Sequence, residues 1–397
     1  MDVVGLQWFV FSMINLIGVT AILPKIRWTN KPKTIVALWI VFVLIALLST
    51  TYSINLSLGL QDISRWSQVI IGIILLKYFF QENILSYDYL TNVILGFLFI
   101  ESIYILIPLF VNLYVNGFGM EVALSPGLFN GLTGNKNIAA DSVMIKLPFV
   151  LHKLKNLNIK SSIVAVVLII LSILSVLFIA ARASYISLLL TTAVFLVGSL
   201  FYIKESYINK TIYLFGPLVL AYIIGFGLGN KFIKSGSASS LTNKVESISF
   251  TREGSSGRTL LWSDAISFIK DHPITGGGIG SWKIESAPYW NIHGTEYLVP
   301  YHAHNDFLEI TAELGILGGL LYVIIFSRLI YLLVIRIKSN RSEKTLFYFV
   351  CLASLGTYFI DALLNFPMER YIMQIMICVL FSVGAFIESK NDYEKNI

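Results

Sequence analysis

Runs of about twenty apolar residues recur along the whole chain, and nothing else in it constrains the fold as strongly. An α-helix rises about 1.5 Å per residue, so a run of this length is what crossing roughly 30 Å of hydrocarbon requires. About eleven such runs are readable, with cores near residues 4–23, 34–49, 63–80, 89–115, 138–151, 161–181, 183–203, 211–229, 307–335, 346–364 and 371–387. The run at 138–151 is short for a full crossing. No segment alternates polar and apolar residues as a barrel strand does. The expected fold is therefore an all-α integral membrane protein, a polytopic bundle of about 11–12 transmembrane helices with one long structured outer loop. Only 13% of residues are charged and 56% are hydrophobic, against about 25% charged in soluble chains. That excludes a water-soluble enzyme built on one ordinary core.

Orientation follows from lysine and arginine in the short loops, because basic loops stay cytoplasmic. Lys25, Arg27, Lys31 and Lys33 follow the first run, Lys153, Lys155 and Lys160 the fifth, Lys204 and Lys210 the seventh, and Arg336, Lys338, Arg341 and Lys344 the ninth. The intervening short loops hold little beyond Lys136, Arg182 and Arg370. The amino terminus is expected outside, the carboxyl terminus inside, and the long 230–301 segment outside. The net charge of +6 is then mainly topogenic, with a membrane-surface rather than a nucleic-acid meaning. The first run lacks a basic leader and is expected to remain as a span. Cys351 and Cys378 lie within apolar runs and support neither a disulfide framework nor a zinc site.

Long connections in compact proteins are usually functional, so chemistry is sought first in the outer loop. It holds four of the five histidines: His272, His293, His302 and His304. Residues 259–270 place Leu261, Trp262, Ala265, Ile266 and Ile269 at helical spacing, with Ser263, Asp264, Ser267 and Lys270 opposite. This predicts an amphipathic helix on the outer membrane surface, ended by Pro273. Arg258 falls at its start, where the helix dipole disfavours a cation; it either snorkels to lipid phosphate or is held there by something else. The glycines of 275–280 read as a tight turn rather than a phosphate loop, since no strand precedes them and no Lys-Ser/Thr pair follows. Asp306 and Glu309 have capping-box spacing, which starts the next helix just after His304 and Asn305. A histidine there sits at the positive end of a helix, where pyrophosphate oxygens are favoured. His302 and His304 read as acid–base or anion-contact groups, as a structural cap, or as a metal pair without a clear third ligand.

Arg182 interrupts a nearly continuous apolar stretch between small residues Ala181, Ala183 and Ser184. It reads as a ligand contact or as a turn residue reaching the interface. Lys136 begins another run, with Asp141 and Lys146 beyond it, and these charges have each other as alternative partners. Glu101 lies mid-span without a second carboxylate to make a proton relay.

Three stretches together resemble the O-antigen ligase superfamily: Ser256-Gly-Arg-Thr-Leu-Leu-Trp-Ser-Asp-Ala265, Pro273-Ile-Thr-Gly-Gly-Gly-Ile-Gly280 and His302-Ala-His-Asn-Asp-Phe-Leu-Glu-Ile-Thr-Ala-Glu-Leu-Gly315. His304, Asn305 and Gly315 satisfy the ligase-type pattern of that family, and the segments at Arg182 and 134–139 resemble its other elements. The resemblance is strongest over 130–326. It implies a metal-independent transferase without a cofactor, acting on the periplasmic face of the inner membrane. The donor it implies is a glycan on undecaprenyl pyrophosphate, and the acceptor a glycan or the lipid A core. By position, His304 would be the base that deprotonates the acceptor hydroxyl, while Arg182 and Arg258 hold the pyrophosphate. His302, Asn305 and Lys136 are the further expected substrate contacts. Family members commonly keep both termini in the cytoplasm with an even span count, from which the odd count here departs.

The expected organisation is amino-terminal transmembrane helices over 1–229, a periplasmic loop over 230–304 and carboxyl-terminal transmembrane helices over 305–397. Ligase, surface-polysaccharide polymerase and protein O-oligosaccharyltransferase share this donor chemistry, and the His-Asn to Gly spacing favours ligase. From another class, a transporter or flippase predicts midplane charges in corresponding halves. Here the informative residues gather at one outer surface.

Overall fold

The structure is a computed structural model that describes residues 3–25, 34–116, 128–155, 158–203, 207–232, 257–290, 301–339 and 343–395. Among them no strand occurs. The principal helices are Val3–Ile22 (α1), Thr34–Ser49 (α2), Leu56–Gln81 (α3), Tyr87–Asn116 (α4), Lys136–Lys146 (α5), Phe149–Lys153 (α6), Ile159–Ile179 (α7) and Arg182–Phe201 (α8). The single turn Tyr207–Lys210 (α9) leads through a π-type turn into Gly216–Phe232 (α10). Arg258–Asp271 (α11) and the short Trp282–Glu285 (α12) and Ala287–Trp290 (α13) follow. Asp306–Ser339 (α14), Glu343–Leu364 (α15) and Tyr371–Lys395 (α16) complete the chain.

Among the described residues, eight helices are long and apolar enough to cross a membrane, and two shorter ones, Thr34–Ser49 and Ile212–Leu228, are apolar. The chain is a multi-pass, all-α membrane protein. The run at 138–151 accounts for the difference from eleven. It is divided into α5 and α6 at Leu147 and Pro148, where proline has no N–H to continue the helical ladder. Every residue from Ile138 to His152 is buried in protein, so this is an interior segment and not a lipid-facing span.

The chain forms two compact units. The first comprises Met1–Leu85, Phe250–Leu333 and Ala362–Ile397. Its core is aromatic: Trp39 meets Phe381 at 5.4 Å, Phe42 meets Trp66 at 4.8 Å, and Tyr322 meets Phe326 at 4.9 Å. Glu388 of α16 joins the start of α2 to the body of α14, accepting from the Ile35 N–H at 3.1 Å and from Arg328 Nε at 2.7 Å.

The second unit comprises Ser86–Ser249 and Val334–Asp361. Its interior holds a buried ion pair. Lys146 Nζ donates to Glu101 Oε2 at 2.7 Å, to the Ser142 carbonyl at 2.7 Å and to Ser142 Oγ at 2.6 Å. Ser175 donates to the Ser102 carbonyl at 3.1 Å, so α4 and α7 are joined by hydroxyls as well as apolar contact. The partner of Lys146 is thus Glu101, from α4, and not Asp141 on its own helix.

Candidate active site

The site is built in the first unit by a glycine-dependent fold of the chain. Inside α14, Gly315 adopts φ 69° and ψ 179°, a left-handed φ that favours glycine. The break opens two carbonyls of the helix, and the 275–280 turn docks there. The Gly277 N–H donates to the Ala312 carbonyl at 3.0 Å and the Gly278 N–H to the Glu313 carbonyl at 2.8 Å, while the Ile316 N–H returns to the Pro273 carbonyl at 2.9 Å. A Cβ on Gly278 would stand 2.7 Å from Ser53 Cα. These residues are a tight turn, as the sequence suggests, and Gly315 is the position it locks onto.

This turn carries α11 back against α14. Ala265 and Phe268 pack with Trp282, Ala303 and Ala312. The buried face of α11 also includes Asp264, 5% exposed, whereas Ile266 is 43% exposed. Helical spacing placed Asp264 outside and Ile266 inside; packing against protein rotates the buried face away from the stripe expected to meet lipid.

Arg258 is the first residue of α11, after Gly257 at φ 80°. What holds it is Asn365, whose Oδ1 accepts from Arg258 Nη2 at 2.9 Å. Asn365 lies just after α15. The following residues complete the floor: Phe366 stacks on the His302 ring at 4.1 Å and 17°, meets His304 edge-on at 5.1 Å, and carries the Arg370 guanidinium at 5.0 Å.

Asn305, and not Asp306, caps α14. Its Oδ1 accepts from Phe307 N at 3.1 Å and Leu308 N at 3.2 Å. Asp306 instead accepts from Met368 N at 3.1 Å. Glu309 does reach back as an N3-type residue does, but to the Ala303 N–H at 2.8 Å. The expected Asp306–Glu309 box is therefore shifted by one residue, because Asp306 is used to hold the 366–370 turn.

The two histidines stand in opposite surroundings. His302 Nδ1 lies 3.0 Å from Glu309 Oε1 and Nε2 lies 3.5 Å from Glu369 Oε2. Burial alone would lower its pKa, but Glu309 and Glu369 outweigh burial and raise it. His304 has φ 52°, left-handed backbone that a residue with a Cβ holds only under strain of order 1–3 kcal/mol. Its ring is partly exposed, and its Nδ1 is buried without a hydrogen-bond partner among the described residues. Burial, then Arg258 and His302, push its pKa down to about 4, against a contribution from the Leu364 backbone. His302 is thus made more basic than an ordinary imidazole, and His304 is a neutral imidazole at neutral pH.

Glu369 ties the network together. Its Oε1 takes Lys283 Nζ at 2.7 Å, and its Oε2 lies 3.8 Å from Arg65 Nη1. Burial would raise its pKa, yet His302, Lys283 and Arg65 hold it below the usual carboxylate range. Lys283 is correspondingly raised, burial being overcome by Glu369. His302, Glu309 and Glu369 bring ligand atoms within 4.8 Å of one another, close enough for a metal ion by distance. Lys283 and Arg65 already supply fixed positive charge to that same carboxylate, which disfavours adding a divalent cation.

The structure therefore brings together Arg258, His302, His304 and Asn305. Arg182 and Lys136 belong to the second unit. Arg182 opens α8 after Ala180 at φ 53° and extended Ala181, and its side chain lies outside the described residues. Lys136 opens α5, capped by Asn135, which accepts from Asn137 N at 2.9 Å. His293 and the 235–240 tract fall outside the described residues. Lys283, Asn365, Phe366 and Glu369 were not anticipated; Glu369 and Arg370 as a charged pair in a short connection between two apolar runs were the one signal available.

Residues 166–323 match the family model described as O-antigen ligase. The matched segment runs from α7 into α14 and includes Arg182, Arg258, His302, His304, Asn305 and Gly315. No curated protein matches the chain. The matched segment carries an O-antigen ligase domain, and with the helical membrane architecture around it this supports the O-antigen ligase/polymerase superfamily.

Proposed function

We propose that the protein moves a glycan from an undecaprenyl-pyrophosphate carrier to an acceptor hydroxyl, the lipid A core or a similar acceptor, at the periplasmic face of the bacterial inner membrane. The observation that carries this reading is His304: a neutral, partly exposed imidazole on strained backbone at the mouth of α14, beside the Arg258 guanidinium. The imidazole accepts the proton of the acceptor O–H as that oxygen attacks the anomeric carbon. The bond from that carbon to the phosphate oxygen breaks, its electron pair leaves with the lipid pyrophosphate, and the proton later passes from His304 to solvent. General-base assistance of this kind is typically worth about 10²–10⁴-fold.

Arg258 suits the departing diphosphate, because a guanidinium presents five donors in a planar fork that matches phosphate oxygens, and Asn365 orients it through Nη2. An anion beside Arg258 also offsets the charge that depresses His304, so donor binding strengthens the base. Since the bond energy comes from the donor, no nucleotide is needed, and the cations already on Glu369 support a metal-independent reaction. Arg182 and Lys136 enter this reading from the sequence, as pyrophosphate and substrate contacts; Arg182→Ala and Lys136→Ala, each assayed for transfer at unchanged abundance, test them one at a time.

The decisive experiment is the glycan profile of cells lacking the protein. Long chains left on the carrier identify a ligase, single repeats on the core identify a polymerase, and an unchanged profile overturns the proposal. A periplasm-active reporter inserted near residue 293 should be active; a cytoplasmic signal there would remove the basis for the outer-face site.

A further inference from the structure

Beside the proposed site, α1 and α3 enclose a cleft of about 170 Å³. Its wall on α3 is a polar stripe, Gln61, Ser64 and Gln68, at positions i, i+3 and i+7 of one helix face. Across from it stand Trp8 and Ser12 of α1, four residues apart. Both helices qualify as membrane spans, and lipid tails cannot satisfy such groups. Nor does the protein satisfy them all. Ser12 Oγ donates to the Trp8 carbonyl at 2.9 Å and Gln68 Oε1 accepts from Asn15 at 2.9 Å, while Gln61 and Ser64 are exposed and their side chains make no hydrogen bond among the described residues. A polar stripe of this kind needs water or a polar ligand against it.

The charge in the cleft decides which ligand. Arg65 is the one cation among the described residues that line it, and it is already paired with Asp62 at 3.0 Å and lies 3.8 Å from Glu369. It also lies over the Trp8 ring at 5.7 Å. Amides, hydroxyls and an indole edge without uncompensated charge suit a neutral, hydroxyl-rich ligand and not an anion. The volume is several times a water's share of the liquid, about 30 Å³, which is room for one sugar ring. Glu369 connects this cleft to the site: its backbone carbonyl accepts from Trp8 Nε1 at 3.2 Å, and its carboxylate faces both Arg65 and His302.

We propose that the α1–α3 cleft is a subsite for one neutral sugar residue of the glycan, bound through Gln61, Ser64 and Gln68. The inference rests on the glycan-transfer reading, and the sugar belongs to either the donor or the acceptor chain. Two measurements on the full chain in membranes test it. In Ser64→Cys, a membrane-impermeant maleimide added from the outer side should label the new thiol, with little background because Cys351 and Cys378 are 0% and 2% exposed. Glycan released from the carrier by mild acid should slow that labelling.

In Gln61→Leu/Gln68→Leu, losing two hydrogen bonds should raise one KM about tenfold or more while kcat stays within about twofold. A raised donor KM assigns the sugar to the donor, and a raised acceptor KM to the acceptor. An unlabelled thiol, labelling that the glycan does not slow, or unchanged KM values for both substrates would overturn the subsite. If wild-type membranes transfer no glycan, the catalytic reading fails instead, and slowed labelling by released glycan still decides the cleft.

Discussion

The protein keeps buried charge in two regions, and they are organised differently. In the second unit, the three protons of the Lys146 ammonium meet three acceptors, two on its own helix turn at Ser142 and one on Glu101. The pair is 4% and 2% exposed. In the first unit, charge is spread over Arg65, Lys283, His302, Glu309 and Glu369, and one partly exposed ring beside them, His304, is kept neutral with a nitrogen that no described residue engages. All three ammonium protons are taken up, although Glu101 Oε1 is buried without a partner among the described residues, and the pair serves to join helices. A network that fixes its neighbours and leaves one imidazole neutral prepares a group to accept a proton.

The largest expected effect separates these two roles. His304→Ala should reduce glycan transfer by about 10²–10⁴-fold at unchanged protein abundance, measured on membranes with lipid-linked donor. Full activity in that variant would sink the assignment. Lys146→Ala should do the reverse, costing about 3–5 kcal/mol because Glu101 is left buried and unpaired, and so lowering the yield of folded protein in detergent. Glu101→Leu/Lys146→Leu should recover most of that yield with transfer intact; a double variant as unstable as the single one would show that the pair does more than compensate itself.

Arg258→Lys comes next. Lysine keeps the charge but loses the fork that reaches Asn365 and, on the proposed reading, a phosphate as well, so kcat/KM should fall roughly tenfold or more. Unaltered turnover would count against a bidentate role.

The pH dependence sharpens the contrast between the histidines. His304, with its pKa pushed down to about 4, should support transfer down to mildly acidic pH, and activity should be lost as pH falls through that region. Its stability contribution has the same sign: below about 6.5 the unfolded chain takes a proton that folded His304 refuses, so stability drops as pH falls from there towards 4. His302 behaves oppositely, because its folded pKa is raised. Its contribution is complete below the unfolded value and is lost as pH rises through the folded one. His302→Gln removes a positive charge from beside His304, so the acidic limb of the kcat profile should move to higher pH. A limb that stays in place, with kcat retained, would show that His302 does not set the proton affinity of His304.

Part of this was legible in the sequence, for physical reasons that differ by residue. The spans are local: twenty apolar residues report their own environment, and α5–α6 misled only because burial inside protein selects apolar residues as burial in lipid does. Arg258 and His304 stand out because charge is scarce once the basic short loops are set aside. What holds them was not legible. Asn365 and Phe366 lie more than sixty residues from His304, and Arg65 approaches Glu369 from α3, so no local spacing announces either contact. At the start of α14, Asn305 and Asp306 both have capping chemistry; the choice between them was made by Met368, from the distant 366–370 turn.

The smallest expected effect tests that choice. Asn305 was read from the sequence as a substrate contact, yet its Oδ1 accepts from both Phe307 N and Leu308 N and the residue is 8% exposed. If capping is its work, Asn305→Ala should lower stability by about 1 kcal/mol, while Asn305→Asp and Asn305→Ser, which retain an acceptor, recover most of it. Both KM values should then stay near wild type in all three variants. A KM raised severalfold in Asn305→Ser, where the cap survives but the amide is gone, would return Asn305 to the substrate. The helix start would then bind as well as position, and the contrast with the buried Lys146–Glu101 pair would extend from His304 to the residue beside it.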